Sequence, residues 1–488
     1  MGAVSAAPGT AEPRQLSQLL AGLPPAADEA DLFPRLEAAV RDGRRPLVVI
    51  DDDPTGTQTV YDTPVLLDWD AADLSRAVAS GERLFFLLTN SRSMPGAQAG
   101  ALNERIGRDL AHAGGRIAVV SRSDSTLRGH YPIEIEALAA GLGEPFDGHL
   151  IVPAFFEGGR YTIGDTHWVA TPTATSAEVI PADATPFARD AAFGYSTAYL
   201  PAWVEEKSSG RWRAADVRSV PLDVVRAGPA AVRDRLLEVQ GGAPVAVNAA
   251  GYGDLAQVVL GLLEAEARGK RFLYRTAASF VRLRAGLAAR PLLSAAEVYA
   301  ACARTGETTA ANGLVVVGSY VPASTAQLEA LLRAEDLPIR SVELDVAAAV
   351  DGSLSVERLG KDVDEALAAG ALPVLWTSRQ LVTRAGEESL AIGRRVTDAL
   401  LDALGHVRLR PRFVIAKGGI TSHEVARRSL GARQATALGQ LQPGVPVWRL
   451  EGSVRFSGVP YVVFPGNVGS PDSIVSATRQ LSAPTPAA

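Results

Sequence analysis

Cysteine is nearly absent from this chain: Cys302 stands alone among 488 residues. One thiol excludes an intrachain disulfide and a cysteine-ligated metal cluster, and it fits a reducing compartment, so a cytoplasmic protein is expected. Long apolar runs are missing too. None approaches the roughly 18 residues that cross a bilayer, and Met1 to Pro25 has no basic stretch leading into an apolar core, so no membrane association is expected. Charge is not in large excess of either sign: a net −6, with a pI near 5.7, leaves nothing global to attract nucleic acid. Any anionic ligand must be met by a local site. The signatures of several common sites are also lacking. There is no G-x-x-x-x-G-K-[ST], no G-x-G-x-x-G after a strand, and no H-E-x-x-H, which disfavours a standard P-loop, a conventional dinucleotide fold and a tightly held transition metal.

What the chain has is length and alternation. With 47% hydrophobic residues it exceeds one ordinary core, and about two to three domains are expected. Short β-rich runs recur at 47–50, 65–67, 84–88, 117–121, 150–152 and 245–247, separated by stretches of helical period such as 96–113 and 133–142. A second series follows at 314–317, 339–344, 372–376, 412–415, 445–450 and 461–464. This rhythm predicts an α/β fold of two domains, each with a mostly parallel sheet covered by helices. The expected boundaries are an N-terminal helical extension over 1–45, a first domain over 46–291 and a second over 292–488, with the junction near Leu292 to Thr309. The stretch 162–212, rich in Thr, Pro, Gly and aromatics, breaks the period and reads as a functional loop or lid.

Three strand ends of the first half terminate in polar clusters: Asp51-Asp52-Asp53-Pro54-Thr55-Gly56, Thr89-Asn90-Ser91-Arg92-Ser93, and Ser121 to His130. In an open parallel sheet such ends lie along one edge, where ligands bind. Adjacent carboxylates repel one another and call for a cation, a metal or a polyol. Arg92, Arg122 and Arg128 offer planar forks for a carboxylate; Asp51, Asp52, Asp53 and Asp124 accept from hydroxyls; Ser91 and Ser125 do either. A small polyhydroxy acid needs that mixture. The alternative is a set of ordinary caps and salt bridges. His130 and His167 are each read as hydrogen-bonded structural residues before they are read as site acids.

In the second half, strand ends carry glycine: Gly318-Ser319-Tyr320, Lys417-Gly418-Gly419-Ile420-Thr421-Ser422, and Pro465-Gly466-Asn467. Glycine lets backbone amides approach a ligand closely, and phosphate is the expected guest of such strand-to-helix turns, though tight turns also use glycine for steric reasons alone. Lys417, one of four lysines, either touches a phosphate or is solvated beyond its strand end.

From Pro46 to Ile474 the order and spacing of these pieces resemble the four-carbon acid sugar kinase family. The match is carried by Asp52-Asp53-Pro54-Thr55-Gly56, Asp124-Ser125-Thr126-Leu127-Arg128-Gly129, Pro153-Ala154-Phe155 with Glu157-Gly158-Gly159-Arg160, Gly318-Ser319, Gly418-Gly419-Ile420-Thr421-Ser422 and Gly466-Asn467-Val468-Gly469. The resemblance implies ATP- and Mg²⁺-dependent phosphorylation of a small sugar acid such as a tetronate or 3-oxo-tetronate, in a cleft between the domains of a homodimer. It implies that Asp52, Asp53, Arg92, Asp124 and Arg128 hold the acid, and that Ser319, Gly418, Gly419, Ile420, Thr421 and Gly466 hold ATP. Asp53 is the first choice of base and Asp52 the second. There are departures: many members have Glu where Ile420 stands and Lys-Ser near Phe464-Pro465, which makes Lys417 a candidate substitute. A longer insert at 185–212 points to a branched or oxidised acid, such as 3-oxo-isoapionate. Two other classes compete with a kinase: a non-catalytic sensor on the same shell, and a nucleotide-independent, metal-assisted aldolase or dehydratase built on Asp51 to Asp53.

Overall fold

β-branched runs bounded by amphipathic Ala- and Leu-rich stretches form parallel strands joined by helices, because each strand is apolar on both faces and must be covered on both. The computed structural model describes residues 12–43, 45–171, 178–302, 310–379, 387–452 and 454–483. Its strands are β1 (Arg14–Gln15), β2 (Leu47–Asp51), β3 (Thr63–Leu66), β4 (Leu84–Leu88), β5 (Ala118–Arg122) and β6 (Gly148–Val152). Next come β7 (Arg160–Ile163), β8 (Thr166–Ala170), β9 (Glu178–Pro181), β10 (Arg218–Val220), β11 (Ala243–Val247) and β12 (Phe272–Thr276). The last are β13 (Leu314–Val317), β14 (Ile339–Leu344), β15 (Leu372–Thr377), β16 (Val414–Lys417), β17 (Gln434–Gln442), β18 (Val445–Glu451) and β19 (Pro460–Phe464).

The described chain divides into two units, one running up to Gly56 and over Trp69–Ala289, the other made of Thr57–Asp68 and the residues from Arg290 on. This differs from the expected boundaries in three ways. Residues before 46 are no separate extension: helix Glu29–Gly43 packs on helix Tyr252–Ala267, burying Leu36 and Val40, and Arg35 pairs with Glu264 at 2.7 Å. The division falls between Ala289 and Arg290, while 303–309 of the expected junction lies outside the described residues. Finally, the run at 65–67 belongs to the second unit, because β3 pairs with β17, and Trp448 Nε1 donates to Thr57 Oγ1 at 2.9 Å.

In the first unit a seven-stranded parallel sheet runs β10-β11-β6-β12-β5-β2-β4. Its register sets the site. Asp51 lies opposite both Leu88 and Arg122, and Arg122 opposite Thr276, so the residues after β2, β4, β5 and β12 leave the sheet at one level. The predicted irregular stretch holds structure of its own: β7 and β8 form a hairpin, β9 pairs with β8, and β1 with β9, in a small antiparallel sheet. Residues 172–177 of that stretch lie outside the described set.

The second unit's sheet runs β3-β17-β18-β19-β16-β13-β15-β14, parallel from β19 to β14 and antiparallel across β3, β17, β18 and β19. Val317 is opposite Lys417, and Lys417 opposite Phe464, so Gly318, Gly418 and Pro465 emerge side by side. Among the described residues no helix is long and apolar enough to cross a membrane.

Candidate functional site

Strand β2 carries its apolar run to Asp51 and stops, and the acid stays inside the core. Asp51 is fully buried; its Oδ1 accepts from Arg122 Nη1 at 3.2 Å, and its Oδ2 has no hydrogen-bond partner among the described residues. Burial pushes its pKa up to about 7, with Asp52 and Asp53 reinforcing the rise and Arg122 opposing it. This corrects the expectation that Asp51 and Arg122 bind substrate: both are buried, and Arg122 serves Asp51 and, at 4.0 Å, Asp52. Ser91 is corrected likewise. Its hydroxyl is buried, donating to Glu134 and accepting from Thr89 at 3.0 Å.

The next layer outward is an ordered lattice of acids and arginines. Arg92 grips Asp52 with two nitrogens, Nε to Oδ2 at 3.2 Å and Nη2 to Oδ1 at 2.5 Å. Its Nη1 reaches Asp53 Oδ2 at 3.1 Å and stands 3.5 Å from Asp124 Oδ1. Ser123 Oγ donates to Asp52 Oδ2 at 3.0 Å. Gly129 packs over this pair, since a β-carbon there would lie 2.8 Å from Ser123 Oγ and 3.1 Å from Asp52 Oδ2. Asp53 Oδ1 accepts from the Thr55 amide at 2.9 Å and its hydroxyl at 2.6 Å, which fixes the Pro-Thr-Gly turn. Of these two acids Asp53 is the reachable one, with 21% of its side chain exposed against 4% for Asp52. Burial works to raise the Asp53 pKa, but Arg92 and Arg122 outweigh it and the carboxyl lies below its ordinary value.

The loop after β5 adds a second fork. Arg128 holds Asp124 through Nε at 2.9 Å and Nη2 at 3.1 Å, and its Nη1 is 3.4 Å from Asp190. Burial alone would raise the Asp124 pKa; Arg128 and Arg92 more than offset it and hold the carboxyl well below the usual range. Ser125 is half-buried, and its carbonyl accepts from His167 Nε2 at 2.7 Å. Burial takes His167 down to about 4, so at neutral pH it is an uncharged brace between Ser125 and Thr162. His130 Nε2 donates to the Met94 carbonyl at 2.9 Å.

Reading strand ends missed what the insert supplies. Asp190 and Phe187 come from the stretch without period, and the Phe187 ring lies under Arg128 at 5.0 Å. Its density of aromatic residues was the available signal. Arg160 entered only as part of the resemblance, with no role assigned, and Arg275 was missed. Arg275 is buried against Trp203 at 4.9 Å and donates Nη2 to the Arg128 carbonyl at 2.9 Å, so it braces the loop that carries Asp124.

In the second unit three loops form a cradle of small residues. A β-carbon on Gly318 would lie 2.5 Å from Thr421 Oγ1, one on Gly418 2.8 Å from Ser319 Cβ, and one on Gly466 3.0 Å from Ser319 Oγ. Gly418 has φ of +113°, a conformation that glycine adopts without strain. Ser319, Gly418, Thr421 and Gly466 are thus brought together. Ser324 Oγ donates to the Gly466 carbonyl at 3.0 Å, and Gln327 Nε2 to those of Val468 and Ser470 at 3.0 and 2.8 Å, which fixes the third loop. Ile420 and Val321 stand exposed on the flanking turns. Lys417 is neither solvated nor facing the cradle mouth. Its ammonium is buried on the Phe464 ring and donates to the Pro465 carbonyl at 2.6 Å, and burial lowers its pKa to about 7. That corrects its place as a phosphate ligand: the group ties one loop root to the next.

Comparison with known proteins gives two matched parts as well, although the first includes 57–68, which pack in the second unit. A family profile described as a sugar-binding N-terminal domain matches residues 47–284, and one described as a nucleotide-binding C-terminal domain matches 314–474. Among solved structures, a protein of Salmonella typhimurium LT2 carrying a provisional tRNA-synthase name superposes with a TM-score of 0.61 at 18% identity, covering 89% of this chain and 99% of its own. Haemophilus influenzae protein HI1011, of the DUF1537 family, superposes at 0.55 and 20% identity, covering 89% and 100%. At these identities the likeness is one of fold. No curated protein matches the chain.

Proposed function

Because the chain belongs to the four-carbon acid sugar kinase family, we propose that it transfers the γ-phosphoryl group of ATP to a hydroxyl of a small sugar acid. The observation that carries this reading is the pairing of two unlike sites in one chain: an acid–arginine lattice whose partly exposed carboxylates are Asp53 and Asp190, and a cradle walled by Gly318, Gly418 and Gly466 around the Ser319 and Thr421 hydroxyls.

In the first unit Asp53 accepts the proton of the attacking hydroxyl while the new P–O bond forms and the bond to ADP breaks. The carboxylate is ionised throughout the neutral range, and Thr55 and Arg92 fix its direction, so positioning is the larger part of its work. Asp124 and Asp190 accept from further hydroxyls. In the second unit the backbone amides around Gly418 and Gly466, with the hydroxyls of Ser319 and Thr421, receive the phosphates. Exposed Ile420 and Val321 supply an apolar ledge for the base. The Ser319 and Thr421 hydroxyls would help hold Mg²⁺ in this cradle, where it would neutralise the charge that develops in transfer.

The test is ADP release with Mg-ATP against tetronates, 3-oxo-tetronates and apiose-derived acids, with the phosphorylated product identified by mass spectrometry. Turnover with one acid supports the reading and names the substrate. Bound ATP without product from any acid turns it toward a sensor, and conversion of an acid without ATP turns it toward an aldolase or dehydratase.

A further inference from the structure

The guanidinium forks of the first unit's site are taken, with one exception. Arg92 is spent on Asp52 and Asp53, Arg128 on Asp124 and Asp190, and Arg122 on Asp51 at the buried strand end. A substrate carboxylate approaching any of these meets protein carboxylates already in place. Arg160, at the start of β7, differs. Its Nη1 donates to the Gly158 carbonyl, its Nε is buried with no hydrogen-bond partner, and no carboxylate lies within ion-pair distance of it, among the described residues. Arg275 also has unpartnered nitrogens, but it is fully buried and out of a ligand's reach, whereas Arg160 is half-buried.

Arg160 belongs to the same site. The Phe187 ring that carries Arg128 at 5.0 Å carries Arg160 at 5.8 Å, so the two guanidiniums flank one aromatic wall. Burial disfavours the Arg160 charge, and the Asp124 carboxylate beyond ion-pair distance only partly offsets that; a partly buried guanidinium with an unpaired donor and no direct ion pair is costly unless an anion completes it. We propose that Arg160 receives the carboxylate of the substrate, with Phe187 as the wall beside it and Asp190 accepting a neighbouring hydroxyl. This rests on the sugar-acid reading above and sharpens it: the substrate is a polyhydroxy monocarboxylate whose charged end faces the insert, and the paired arginines orient the catalytic acids.

The experiment compares threonate and erythronate with their neutral alditols, threitol and erythritol, as ligands of wild type, Arg160→Gln and Arg160→Lys, using calorimetry without nucleotide and turnover with it. For Arg160→Gln the affinity for the acid falls on the order of tenfold to a hundredfold, the loss of one charge-assisted hydrogen-bonded pair. Alditol affinity stays near wild type, so the preference for acid over alditol collapses. Arg160→Lys, which keeps the charge without the fork, falls between, and serves as the test if Arg160→Gln does not fold. An acid-to-alditol ratio unchanged from wild type in the folded variants overturns the assignment while leaving the kinase reading intact. If wild type binds neither acid and phosphorylates nothing in the wider panel, both readings fall together.

Discussion

Asp51 lies directly beneath Gly56: a β-carbon on that glycine would overlap the Asp51 carboxylate. The glycine is therefore the lid that seals the first of the three acids into the core, and the turn that presents Asp53 is built over it. Asp51 has a folded pKa of about 7, above its ordinary value near 3.8. Between those limits the unfolded chain loses a proton that the folded chain keeps, so this group's contribution to stability falls as pH rises and is level above about 7. Asp51→Asn removes that slope. Relative to wild type, the variant gains stability from pH 4 to 7 at up to about 1.4 kcal/mol per pH unit. Urea denaturation of both proteins at pH 4.5, 6 and 8 measures it; parallel curves would mean that Asp51 is ionised in the folded state.

Asp52 and Asp53 are neighbours in sequence with different work, and substitution separates them. Asp53→Asn is expected to lower kcat by about a hundredfold to ten-thousandfold, with little change in thermal stability or in acid affinity. Asp52→Asn breaks a buried two-point pair with Arg92 and is expected to cost about 3–5 kcal/mol of stability. Steady-state kinetics and melting of the two variants decide the matter. Wild-type turnover in Asp53→Asn removes it as the base.

A third contrast lies in the nucleotide half. Gly418→Ala places a β-carbon 2.8 Å from Ser319 Cβ at a backbone φ of +113°, and is expected to weaken ATP binding by at least about tenfold while sparing acid binding. Lys417→Met should leave ATP affinity within a factor of about three, because the ammonium is committed to the Pro465 carbonyl. Nucleotide titrations of the two variants measure this; a large loss in Lys417→Met alone would restore the lysine as a phosphate ligand.

The sheet edges were legible because an apolar run that halts at polar residues marks a strand end whatever the fold around it. The strand ends that precede Asp53, Asp124 and Arg128 were read that way, as were those before the glycine turns at 318, 418 and 466. Depth was not legible: nothing in the order Asp-Asp-Asp tells that the first acid is sealed under Gly56 and the third left reachable. Nor does sequence show that a fork is occupied, since the partners of Arg92 and Arg128 come from three different loops. Strand β12 escaped because Arg275 interrupts its apolar run, and β17 because Gln434–Gln442 alternates polar and small residues and carries two register shifts. Phe187 and Asp190 lie in a stretch whose strands and short turns follow no single period.

Strand β3 is written near the start of the chain and pairs with β17, from Thr63 against Ala437 to Leu66 against Gln434. The gene therefore does not encode the nucleotide half as one contiguous stretch. A fragment starting at Arg290 would present the bare flank of β17, with its N–H and C=O groups open to pairing by any passing strand. Recombination that joins halves end to end could not move this half intact between proteins. It would have to carry a short piece of the other half's coding sequence with it to keep β17 covered.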